Sequence, residues 1–244
     1  MESYTINNFH EKFGFEQFRQ LPGHKQGISY VKFSDDGKLL SIGYETGGIR
    51  VYDVQRYEYA AEIDIPKIRE VTDFDFDPTV LYFPITCMRW ASANNLLTSS
   101  GDGFIKLWNV KEADPKKRLK SYIYNENISF NAIDVNVDRT MLVSGGMDHC
   151  LRVYDLAEMK ETVVYHGEDT KHQEHFNRIF SVKVDPSNHN VFYSGGWDKC
   201  LITHDIREKH SVASFVGPYI TGDSLDINGS ALLAGSYRSH DPIE

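Results

Sequence analysis

The residues able to do chemistry are histidines, serines and aspartates that return at fixed intervals. Ser144 stands four residues before Asp148, as Ser194 does before Asp198, and His175 precedes the second pair. A histidine near an aspartate suggests general-base catalysis, which needs a nucleophile and an oxyanion donor set against the pair. The sequence sets neither, so the pattern reads as structural, and no catalytic residue is expected. His166, His172 and His175 share one segment, but zinc takes four ligands with a tight pair, and His172 with His175 makes only a marginal one. Asp73, Asp75 and Asp77 alternate, so a strand would spread them along one face, too far apart for one small cation. That segment reads as a polar strand face or a partner-binding loop. Cys150 and Cys200 each lie two residues after a repeated aspartate and read as strand residues. No metal or cofactor is expected.

The intervals point to the elements that carry these residues. Four segments align: Ile28–Phe33 running to Ile49–Val54, Ile85–Trp90 to Ile105–Val110, Phe130–Val135 to Leu151–Leu156, and Ile179–Val184 to Leu201–Ile206. The aligned ring positions are Tyr52, Trp108, Tyr154 and His204, spaced 56, 46 and 50 residues apart. Asp102, Asp148 and Asp198 each precede their ring by six residues. Within a unit, short alternating apolar runs are separated by Asn, Asp and Gly turns, the signature of antiparallel strands. Helical spacing is not sustained over any comparable stretch.

At these residues the chain resembles the WD-repeat family, whose blades repeat every 40–45 residues or so. Gly23-His24 precedes the first unit, Ser144-Gly-Gly-Met-Asp148 and Ser194-Gly-Gly-Trp-Asp198 stand at the second turn, and Ser99-Ser-Gly-Asp102 gives another copy. The resemblance implies an all-β, WD-type β-propeller of four full blades plus a partial fifth. The expected boundaries are an N-terminal segment at 1–21 and a propeller at 22–244, with blades at about 22–66, 82–125, 127–167, 175–217 and 219–244. It also implies a structural blade motif carried by His24, Ser99, Asp102, Trp108, Ser144, Asp148, Tyr154, His175, Ser194, Asp198 and His204. The first unit has Thr46 in place of the turn aspartate, and the fourth has His204 in place of tryptophan. Family members most often need about seven blades, so the ring is expected to be incomplete or open, with edges available for pairing with another chain.

Composition narrows the function. A net charge of −9 argues against a general nucleic-acid grip, which needs clustered cations. Lys116-Lys117-Arg118 reads as a solvated loop. Three cysteines make no disulfide framework, and neither a secretory signal nor a membrane-spanning run is visible, so an intracellular, cytoplasmic protein is expected. The resemblance implies a non-enzymatic scaffold or adaptor that binds proteins or peptides on its top face. There the residue before the turn aspartate points outward, which maps onto Met147 and Trp197, with Arg178 adjacent and Tyr237 and Arg238 in the fifth unit. Two alternatives stand beside it. His204-Asp-Ile-Arg207 resembles the Trp-Asp-x-Arg signature of substrate receptors of cullin-type ubiquitin ligases. A propeller enzyme with loop-borne chemistry is the other.

Overall fold

The computed structural model describes residues 27–63, 83–166 and 174–237. The calls on His24, His172, Arg238, the three alternating aspartates and the N-terminal segment lie outside these residues. Four antiparallel sheets of four strands follow one another in chain order, and a two-stranded sheet closes the series. The first holds β1 (Ile28–Phe33), β2 (Leu39–Tyr44), β3 (Ile49–Asp53) and β4 (Glu58–Ile63). The second holds β5 (Ile85–Trp90), β6 (Asn95–Ser100), β7 (Phe104–Asn109) and β8 (Leu119–Tyr124). The third holds β9 (Phe130–Val135), β10 (Met141–Gly146), β11 (Leu151–Asp155) and β12 (Lys160–Tyr165). The fourth holds β13 (Ile179–Val184), β14 (Val191–Gly196), β15 (Cys200–Asp205) and β16 (Ser211–Val216), and the last β17 (Leu225–Asn228) and β18 (Ala231–Ala234).

Each sheet is a meander because short connections join consecutive antiparallel strands. The turn between second and third strands needs a left-handed residue. Gly47 and Gly103 supply it in the first two sheets, and His149 and Lys199 adopt it at the equivalent places in the next two, with φ of 65° and 60°. The inner strands β1, β5, β9, β13 and β17 pack successively against one another, so the sheets are arrayed as blades about an axis. Small residues near the end of each second strand let the next blade approach. A Cβ at Gly43 would meet Ile85 at 2.8 Å, one at Gly145 would meet Ile179 at 2.5 Å, and one at Gly195 would meet Ile220 at 2.3 Å.

The core therefore lies between blades. Ile49, Val51, Met88, Trp90 and Leu96 fill the first interface, Ile105, Phe130, Ile133 and Leu142 the second, and Val143, Val153, Ile179, Val182 and Phe192 the third. The basic run at 116–118 takes part in a single 3-10 turn, Pro115–Lys117, capped by Asp114, and Arg118 reaches back to the carbonyls of Glu112 and Glu62. No helix among the described residues is long and apolar enough to cross a membrane.

Candidate functional site

The blade motif is complete in the fourth sheet. His175 Nδ1 donates to Asp198 Oδ2 at 2.6 Å, and its Nε2 lies 2.8 Å from Ser194 Oγ. His204 Nε2 lies 3.0 Å from the same hydroxyl. A carboxylate can only accept, so His175 donates to Asp198 through Nδ1, and the Ser194 hydroxyl bridges the two imidazoles through their Nε2 atoms. Asp198 also accepts from the backbone N–H groups of Phe176 and Cys200, pinning both ends of the blade turn. Aspartate, histidine and serine in this order are also the parts of an acyl-transfer triad. Here Ser194 and His204 are fully buried and His175 is 1% exposed, so no substrate reaches the hydroxyl. The arrangement is a staple.

The other blades keep only parts of it. In the second, Trp108 Nε1 donates to Thr98 Oγ1 at 3.0 Å, so the hydroxyl in the motif position belongs to Thr98, not Ser99. Ser99 occupies the close-approach position that glycine holds in the other blades, and its Oγ meets Thr86 Oγ1 at 2.8 Å. Asp102 turns to Ser100 and to the Phe104 N–H. In the third, Asp148 turns to Arg152 at 2.6 Å, and burial pushes the Tyr154 phenol up to about 12. Neither aspartate bonds a histidine. In the fourth, His204 stacks on Phe192 at 4.8 Å and meets Tyr165 edge-on at 5.0 Å. Burial, helped by the neighbouring His175, holds its pKa well below the ordinary histidine value. Its Nδ1 has no hydrogen-bond partner, with Glu174 4.0 Å away.

A second network escaped the sequence reading. Arg89, 5% exposed on β5, donates through Nε to Asp134 on β9 at 2.7 Å and through Nη2 to Asp223 at 2.9 Å, just before β17. Its Nη1 reaches the Tyr30 hydroxyl on β1 at 2.6 Å, and Tyr30 bonds Asp223 in turn. Asp134 accepts the Val184 N–H of β13 at 2.8 Å. The guanidinium thus ties the second blade to the first, third and fifth, and Asp134 carries the link on to the fourth. Burial pulls Asp223 upward, but Arg89 and the Tyr30 hydroxyl outweigh it and hold the carboxyl below its usual range. Only the shared register could have signalled this: Arg89 and Asp134 are each the fifth residue of an inner strand.

The outward-facing residues gather at the other end of the axis. In the first four blades the N–H of the residue after the second strand donates to the carbonyl just ahead of the first, Glu45 to Gly27, Gly101 to Pro84, Met147 to Ser129 and Trp197 to Arg178. Tyr237, three residues beyond β18, donates likewise to Tyr219. This repeated bond makes Glu45, Gly101, Met147, Trp197 and Tyr237 one tier, small or acidic over the first two blades and apolar or aromatic over the rest. Trp197 stacks on Phe180 at 5.1 Å and faces Tyr219 at 6.5 Å, and Tyr219 faces Tyr237 at 6.5 Å. The Arg178 guanidinium lies 5.0 Å above the Trp197 ring. Tyr237 is 76% exposed and Met147 38%, while Trp197 is half-buried within the row, its indole N–H without an acceptor. The structure therefore brings Arg178, Trp197 and Tyr237 together on one ledge.

The remaining candidates are dispersed. Cys150 Sγ lies 3.7 Å from His166 Nδ1, and Cys200 is buried in β15. Among the described residues, no group of three or more His, Cys, Asp or Glu side chains is placed to hold a metal ion. Arg207 folds back on Asp205, whose carboxyl it lowers to about 2.

Comparison with known proteins agrees with this geometry. A family described as Anaphase-promoting complex subunit 4 WD40 domain matches residues 13–93, and the WD domain, G-beta repeat family matches 79–109 and 117–155. The methylosome protein WDR77 of Xenopus laevis is 26% identical over 124 residues, 51% of this chain and 35% of that protein. A guanine nucleotide-binding protein subunit beta of Zea mays is 27% identical over 155 residues, 57% of this chain and 38% of that protein. The chain thus spans little more than a third of either relative. A chain in the crystal structure of the mitotic checkpoint complex superposes with a TM-score of 0.71 at 17% identity, over 91% of this chain and 61% of that one, which shows the shared fold. Phased turns, blade-by-blade sheets and two matching repeat families lead to one conclusion: the chain belongs to the WD-repeat family.

Proposed function

We propose that this protein is a non-enzymatic interaction scaffold whose partners, proteins or peptides, dock on the ledge formed by Arg178, Trp197, Phe180, Tyr219 and Tyr237. The carrying observation is the aromatic row itself. Four rings in file, capped by a guanidinium with no carboxylate partner among the described residues, have the composition that dominates interface cores. The Asp–His–Ser arrangement seen among the described residues is sealed from solvent, which supports a role without catalysis. Relatives named for a methylosome, for ribosome biogenesis and for a G-protein subunit are in keeping with work inside assemblies. Met147 extends the same tier one blade further and belongs to the surface. Arg207 is satisfied by Asp205, which favours the ledge over the ligase-receptor reading.

The test is a triple substitution of Trp197, Met147 and Arg178 by alanine, compared with wild type by affinity purification and mass spectrometry. Circular dichroism and a thermal melt check that the fold is kept. Loss of the partners held by wild type is the expected result. An unchanged set of partners on a folded triple variant overturns the assignment of this face.

A further inference from the structure

The inner strands all run from the ledge toward the opposite end of the axis, and the repeat sets one register there. The fifth residue of β1 is Lys32, of β5 Arg89 and of β13 Lys183. These three cations line both of two adjoining cavities, of about 220 and 430 Å³. The first also receives Arg139 from the β9–β10 turn, and the second Asp226 from β17. The same linings also hold Asp35, Asp134, Asp223 and Asp226.

The carboxylates of the region divide into two kinds. Asp134 and Asp223 are buried and committed to Arg89. Asp226 and Asp35 stand on the rim, 73% and 65% exposed, where they pair with Lys183 and Arg139. Exposed pairs of this kind are weak and exchange readily for another anion. The Lys32 ammonium has neither an ion pair nor a side-chain hydrogen bond among the described residues, although the side chain is half-buried. Burial first, and the facing Arg89 next, lower its pKa, and Lys183 adds to that while Asp223 and Asp134 oppose it. Lys32 thus shares carboxylates that are committed to Arg89 and has no ion-pair partner of its own among the described residues.

We propose that this mouth binds a small, multiply charged phosphate compound through Lys32 and Lys183, with Arg139 as a further rim contact. Ammonium groups entering from separate strands around an axis suit an anion whose oxygens point in several directions, and lysine binds phosphate as a point charge. The larger volume reaches the range of small-molecule sites, and a linear acidic peptide would need an open groove instead. The site is separate from the aromatic ledge and does not depend on it.

Isothermal titration of the full chain with inorganic pyrophosphate and tripolyphosphate, at about 0.15 M salt to screen loose surface attraction, tests the proposal. Saturable single-site binding is expected, weakened about tenfold or more by Lys32→Met and by Lys183→Met, but not by Lys38→Met, an exposed lysine paired with Asp36. Lys32→Gln should show the same loss. Should a Lys32 variant melt early, Lys183→Met and the ligand-induced rise in melting temperature of wild type decide. Flat heats with wild type, or equal affinity in the Lys32 and Lys183 variants, overturn the site. Citrate binding as tightly as pyrophosphate, with the same dependence on Lys32, overturns the phosphate assignment.

Discussion

Replacing Arg89 by methionine tests the axial network most directly. Methionine fills a similar length with apolar atoms, so packing is largely kept while the charge is removed. Two carboxylates then lose their counter-charge in a buried setting, since Asp134 and Asp223 side chains are 9% and 18% exposed. Breaking a buried pair by removing one partner costs about 3–5 kcal/mol. In a chain of 244 residues, each kcal/mol is worth roughly 2–4 °C, so the melt should fall by about 6–20 °C. The assay is calorimetry with urea unfolding as a second measure, because repeat arrays can unfold in more than one step. The double variant with Asp223→Asn should be less damaged than the sum of the two singles, by about 1 kcal/mol or more. Acid sensitivity supplies a further sign. Asp223 has a depressed pKa, so its contribution is full above the ordinary aspartate value and is lost as pH falls through the lower folded one. Without Arg89 that loss should begin at higher pH. A single variant within about 1 kcal/mol of wild type, or strict additivity with Asp223→Asn, would refute the network as a structural tie.

The remaining predictions concern the blade motif. His204 stays neutral when folded but is free to protonate when unfolded, so stability should decline as pH falls below about 6.5, and His204→Phe should flatten that slope in urea midpoints measured from about pH 7 to 5. An unchanged slope would mean that other groups set it. Thr98→Val leaves the Trp108 indole N–H buried without an acceptor and should cost about 1–3 kcal/mol by chemical denaturation. Ser99→Ala should cost less, because Thr86 keeps its bond to the Phe130 carbonyl, and a reversed ranking would return the motif to Ser99.

The sheets were legible because phased aspartates mark the second to fourth blades and ring side chains the first four, and short apolar runs between glycine turns leave few alternatives to strands. The staple in the fourth blade was legible for the same reason: His175, Ser194 and Asp198 each occupy a motif position. The second blade shows where this stops. Thr98 and Ser99 are adjacent hydroxyls, and a shift of one residue on a strand moves a side chain to the opposite face. Counting back from Asp102 by the four-residue interval of the other blades points to Thr98, whereas matching serine to serine pointed to Ser99. The lysine–arginine tier was hidden for another reason. Each residue sits in its own repeat as an ordinary strand polar residue, and only the rotation of blades about the axis brings them within reach. Tyr219, which continues the aromatic row, lies in a linker that carries no repeat signal.

The link between Arg89 and Asp223 spans 134 residues of sequence. A ribosome adding roughly 5–20 residues per second needs about 7–27 s to deliver the second partner after the first. Over that interval the inner strand of the second blade carries a full positive charge with its farthest counter-charge not yet made. Water solvates that charge well, so the growing array keeps a wet, charged seam at its centre, which opposes collapse onto wrong partners. The tie between the second and fifth blades can form only once the segment ahead of β17 has been made.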